Sequence, residues 1–96
     1  MLELRRTAEY DHWMRALRST PVTARINARI RRLTEGNSGQ HRVLTGGIIE
    51  LKIDFGPGYR VYYTKRGSTI IILLCGGDKA TQQADISRAL ALASNL

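Results

Sequence analysis

The chain predicts an α+β domain with the order β-α-α-β-β-β-α, and three observations carry that expectation. Apolar residues recur at helical spacing in two segments between residues 7 and 35. Three strand-like runs, separated by short glycine turns, fill residues 48–75. A closing stretch from about Thr81 places Ile86, Ala89, Leu90 and Ala93 on one helical face. At 96 residues the chain is expected to form one domain, 1–96, with a single modest core. A helical hairpin should pack on one face of a small, mostly antiparallel sheet and leave the other face partly open.

Each element follows from local chemistry. Met1 to Arg6 alternates Leu2 and Leu4 with Glu3 and Arg5, as a half-buried strand does. Thr7 can cap a helix whose Tyr10, Trp13, Met14 and Leu17 fall at i, i+3, i+4 and i+7 and form a core stripe. Ser19-Thr20-Pro21 breaks that helix and starts another, with Thr20 as N-cap and Pro21 at the first position, where a missing N–H is harmless. Val22, Ile26, Ile30 and Leu33 form its buried side, and Gly36-Asn37 stops it. Asn37 to Arg42 reads as a polar loop and Val43 to Thr45 as a brief strand or lead-in. Ile48–Phe55, Tyr59–Lys65 and Thr69–Cys75 then form a meander, joined by Gly56-Pro-Gly58 and Arg66-Gly-Ser68. The last strand is apolar on both faces and calls for cover on both sides. Gly76-Gly77 should end it.

Fifteen Lys and Arg against eight Asp and Glu give a net charge of +7, and twelve of the fifteen are arginine. That imbalance favours an acidic partner: nucleic acid, an anionic surface or an acidic protein. One cysteine excludes an internal disulfide, and Cys75 sits in an apolar run, as a small buried hydrophobe would. His12, His41 and Cys75 lack ligand spacing, so neither a metal nor another cofactor is expected. No apolar run reaches membrane-spanning length and no signal core follows Arg5-Arg6, which points to a cytoplasmic protein without a membrane partner.

Period-two alternation sorts the strand residues. Leu51, Ile53 and Phe55 point toward the helices together with Tyr59, Val61 and Tyr63. Lys52, Asp54, Arg60 and Tyr62 then share the open face, with Asp54 and Arg60 close enough to pair across the turn. Asp78 and Lys79 emerge where the last strand ends. Arg25, Arg29 and Arg32 fall in one arc of the second helix without a glutamate at i±4, a docking surface for phosphate or an acidic segment. Cleavage of RNA by its own 2′-hydroxyl needs a base, cations for the phosphorane and an acid for the leaving oxygen. Lys52, Arg60 and Lys79 could supply the cations; among His41, Asp78 and Asp54 no base stands out.

Phe55-Gly-Pro-Gly-Tyr-Arg-Val-Tyr62 and Leu73-Leu-Cys-Gly-Gly-Asp-Lys79, supported by Arg5-Arg-Thr7 and Trp13, carry a resemblance to the RelE/ParE toxin superfamily of bacterial toxin–antitoxin modules. Within it the chain is most similar to the addiction-module killer proteins. The resemblance runs nearly end to end. It implies a RelE-like fold and a cognate antitoxin that covers the basic surface, with operator DNA bound only through the antitoxin complex. In the RelE-like branch the toxin enters the ribosome and cleaves mRNA, using lysines, arginines and a tyrosine but no metal. Lys52, Arg60 and Lys79 match the cationic positions of that site. The tyrosine position falls near Asp85, which leaves Tyr62 or Asp78 as possible substitutes. The ParE-like branch shares the fold, inhibits DNA gyrase and cleaves nothing; Arg60 is compatible with both. His41, Lys65 and Arg66 join Arg25, Arg29 and Arg32 as candidate contacts to nucleic acid or antitoxin.

Overall fold

The computed structural model describes residues 1–96. Its elements are β1 (Glu3–Arg6), α1 (Ala8–Leu17), α2 (Thr20–Thr34), β2 (His41–Val43), β3 (Ile48–Ile53), β4 (Tyr59–Arg66), β5 (Ile70–Gly77) and α3 (Gln82–Ser94), with short 3₁₀ turns before β3 and before α3. The five strands form one sheet in the order β1-β5-β4-β3-β2. All pairings are antiparallel except β1 with β5, which is parallel. This is an α+β fold in which three helices pack on a mostly antiparallel sheet.

The sheet separates two cores. On one face Leu51, Ile53, Val61, Tyr63, Ile71 and Leu73 meet Tyr10 of α1 and Ile26, Ile30 and Leu33 of α2. On the other, Ile48, Tyr62, Ile72, Leu74 and Cys75 meet Ala89 of α3, with Ile86 and Leu90 at the margin. The alternation on β3 and β4 thus runs as the sequence implies. The second face is less open than expected, because α3 packs on it and Tyr62 is completely buried.

β5 contains the largest departure. Its pairing with β4 shifts between Tyr62 and Tyr63, which oppose Cys75 and Leu73, so Leu74 is an extra residue in the ladder. Leu74 and Cys75 both serve the α3 core, and the alternation restarts with opposite parity. Gly76 and Gly77 do not end the strand; they continue it and are buried. A Cβ on Gly76 would collide with the Trp13 ring, and one on Gly77 with the Asp85 carboxylate. The glycines are there because α1 and α3 both press against the backbone at this point.

Smaller differences have equally local causes. Thr7 caps α1 as expected, its Oγ1 accepting from Tyr10 N at 3.0 Å. Ser19, not Thr20, precedes the first residue of α2, so Pro21 is the second helical residue. The brief strand falls at His41–Val43, where Arg42 pairs with Glu50 of β3, and Thr45–Gly47 forms a 3₁₀ turn. No helix is long and apolar enough to cross a membrane.

Candidate functional site

α3 leaves uncovered the end of β3 and β4 nearest the Gly-Pro-Gly turn. Lys52 and Arg60 stand directly opposite each other there in the β3–β4 register. The turn after β5 returns to the same place, with Lys79 N donating to Pro57 O at 3.4 Å. Lys52, Arg60 and Lys79 therefore come from three chain segments to line one cleft of about 280 Å3, together with Gln40, Ile53, Asp54 and Gly58. Gly58 has a φ of 81°, and a Cβ on it would press to 3.2 Å from Arg60 Nη1, so glycine suits both the turn and the close approach.

Arg60 is only 9% exposed. Its Nη1 donates to Gly58 O at 2.6 Å, and its Nε lies 3.6 Å from Glu50 Oε2 rather than beside Asp54. Glu50 is fully buried and multiply held: it accepts from Tyr62 OH at 3.0 Å and Gln82 Nε2 at 2.8 Å, and Arg42 Nε lies 3.3 Å from its other oxygen. Burial, then the charge and hydrogen bond of Glu50, push the Tyr62 phenol above its ordinary range. Tyr62 donates to Glu50 and does not line the cleft. This corrects the expected grouping of Tyr62 with Lys52 and Arg60 on an open face.

Asp78 is likewise engaged elsewhere. Its carboxylate accepts from Ala80 N at 2.9 Å and Thr81 N at 3.3 Å, closing a capping box ahead of α3. Asp85 is buried, accepts from Thr81 Oγ1 and sits 3.4 Å from Arg88 Nη2. Neither carboxylate lines the cleft, and Asp54 is the one acidic group that does.

A second cleft, of about 350 Å3, adjoins the first and shares its Ile53–Asp54 wall. Arg25, Arg29 and Arg32 line it with Ala28 and Phe55, so the helical count that grouped the three arginines holds. They are not equivalent. Arg29 donates to the carbonyls of Lys52, Ser38 and Gln40, tying the loop before β2 to β3. Burial foremost, with the Arg32 charge second, lowers its pKa. Arg25 instead stacks on Phe55, with its guanidinium carbon 4.1 Å from the ring centroid. His41 is exposed, with Nδ1 2.8 Å from Gly39 O, and lines neither cleft. Lys65 and Arg66 are exposed at the far end of β4, about 20 Å along the strand from Arg60.

Comparison with known proteins places the chain in a family. The model of the family described as phage derived protein Gp49-like (DUF891) matches residues 12–95, which takes in every cleft residue. The chain belongs to the Gp49-like family. The Gp49-like proteins are a RelE/toxin-like family associated with the toxins of toxin–antitoxin modules. An uncharacterized protein of Haemophilus influenzae is 45% identical over 95 residues, covering 99% of this chain and 96% of its own length. No solved structure matches the chain significantly.

In this Gp49-like chain the sequence reading missed the network behind Arg60, in which Gln82 and Arg42 hold the Glu50 carboxylate that lies 3.6 Å from Arg60 Nε. A signal was present: a carboxylate inside an apolar strand, directly across β3–β4 from Tyr62, needs buried donors. The donors could not be named, since Gln82 reaches Glu50 only when α3 folds over the sheet.

Proposed function

We propose that this chain is the toxin of a type II toxin–antitoxin module, of the addiction-module killer kind. Its activity is ribosome-dependent, metal-independent cleavage of mRNA, and a cognate antitoxin restrains it in the cytoplasm. The observation that carries this reading is the convergence of Lys52, Arg60 and Lys79 on one cleft with a single carboxylate among them. Three cations from three segments, one fixed by a buried counter-ion, suit a phosphodiester and the extra charge of its phosphorane. The 2′-hydroxyl attacks phosphorus, its proton passes to solvent, the P–O5′ bond breaks, and an ammonium from Lys52 or Lys79 protonates the departing oxygen. Arg60 holds a non-bridging oxygen. Tyr62 and Asp78 have no part in this scheme, because their polar atoms are bonded away from the cleft.

One observation favours inhibition of DNA gyrase instead: no phenol or imidazole lines the cleft to accept a proton. Mapping of mRNA 5′ ends after induction, beside a supercoiling assay with purified gyrase, separates the two. The nuclease reading expects new ends within translated codons, lost in Lys52→Met and Lys79→Ala, with gyrase unaffected. Unchanged mRNA ends with blocked supercoiling would establish the inhibitor.

A further inference from the structure

The adjoining cleft differs from a generic basic patch in three respects. Arg25 is exposed, and its guanidinium carbon lies over the Phe55 ring, 4.1 Å from the centroid, within reach of a planar ligand. Arg29 is committed to three carbonyls, so Arg25 and Arg32 are its free cations, and neither forms an ion pair. Asp54 lines both clefts and also forms no ion pair, although cations line each of them.

A flat cation resting on a ring is a stacking platform for a nucleobase, and Arg32 beside it suits a phosphate. Asp54 repels phosphate but accepts from base amino and imino hydrogens. Guanine presents two such donors side by side, matching the two carboxylate oxygens. An acidic peptide would bring its own carboxylates against Asp54, whereas single-stranded RNA meets it with donors. The two clefts adjoin at Ile53–Asp54, so one strand crossing that wall can reach both.

The geometry points to a base-reading subsite. The Arg25–Phe55 stack, Arg32 and Asp54 hold one nucleotide of single-stranded RNA, guanine preferred, next to the phosphate gripped by Lys52, Arg60 and Lys79. The inference rests on the RNA-cleaving reading and adds to it which base adjoins the cleavage site and which residues read it.

Fluorescence anisotropy with the full chain at low salt tests the subsite. The probes are labelled oligouridine hexamers carrying one central guanosine, adenosine or cytidine. The guanosine hexamer is expected to bind about tenfold tighter than the adenosine one. Asp54→Asn, which removes the second acceptor, should erase that ratio. Arg25→Ala should weaken every hexamer about tenfold through lost stacking, and Lys79→Ala should weaken all three equally. Equal binding of the three hexamers by the wild type, or a guanosine preference that survives Asp54→Asn, would overturn the subsite while Lys79-dependent binding upheld the RNA reading. Absence of binding to every hexamer would overturn the subsite, whereas the RNA-cleaving reading falls only if induction leaves the mRNA ends unchanged. Loss of a co-expressed antitoxin from Arg25→Ala, with the affinity for every hexamer unchanged, would assign the cleft to an acidic protein segment and overturn the inference.

Discussion

Arg60 reaches its cleft because Glu50 stands behind it. A carboxylate buried at that depth is tolerated through its neighbours: the Tyr62 hydroxyl, the Gln82 amide and two guanidinium groups. Glu50→Ala would strand Arg60 as a buried cation without a counter-ion, and urea denaturation should register a loss of about 3–5 kcal/mol. Tyr62→Phe removes a single hydrogen bond and should destabilise by about 1 kcal/mol. Growth inhibition by Tyr62→Phe should match the wild type; its abolition, with the fold intact by circular dichroism, would return proton transfer to Tyr62. Cys75 supplies a further check on the buried layer. Burial pushes its thiol from 9.0 up to about 12. The unfolded chain releases that proton above pH 9 and the folded chain only near 12, so stability present below pH 9 is lost as pH rises toward 12. Tyr62 and Tyr63, also raised by burial, act in the same direction. Unfolding free energies should therefore fall steadily from mildly to strongly alkaline pH, less steeply in Cys75→Ala.

At the scale of elements, β5 places the cleft. It supports α1 and α3 on opposite faces, and the Leu74 bulge directs Gly76 toward Trp13 and Gly77 toward Asp85. Either glycine to alanine forces a ring or a carboxylate off the strand, and each should lower stability by about 1–3 kcal/mol in urea titrations. Gly77→Ala should also reduce RNA cleavage, because Asp85 and Thr81 anchor the turn that carries Lys79. Equal stability of Gly77→Ala and the wild type would contradict the described packing. This strand also marks where legibility ended. Helical spacing identified α1, α2 and α3, and period two identified β3 and β4, because these signals lie within one element. The bulge, the roofing of Tyr62 by α3 and the ties of Arg29 to three carbonyls depend on contacts between elements distant in sequence. Lys52 facing Arg60 was readable from the hairpin register, whereas the Glu50 network behind them needed α3 in place.

For the whole molecule, the decisive quantity is where the +7 charge acts. A uniformly basic surface would bind polyanions through many weak contacts, including Lys65, Arg66 and His41. The clefts instead gather Lys52, Arg60, Lys79 and Arg32 along one path, while Lys65 and Arg66 sit at the opposite end of β4. Binding of single-stranded RNA releases counterions in proportion to the phosphates engaged, with a slope of roughly −0.7 per phosphate in log affinity against log salt. Four cations engaged one to one predict a slope of about −3. Lys79→Ala should make it shallower by about 0.7, and the double variant Lys65→Ala/Arg66→Ala should leave it unchanged. A slope set by Lys65 and Arg66 would mean that the RNA lies across the far end of the sheet. The cleft would then be free for another purpose, and the geometric basis for cleavage at Arg60 would be lost.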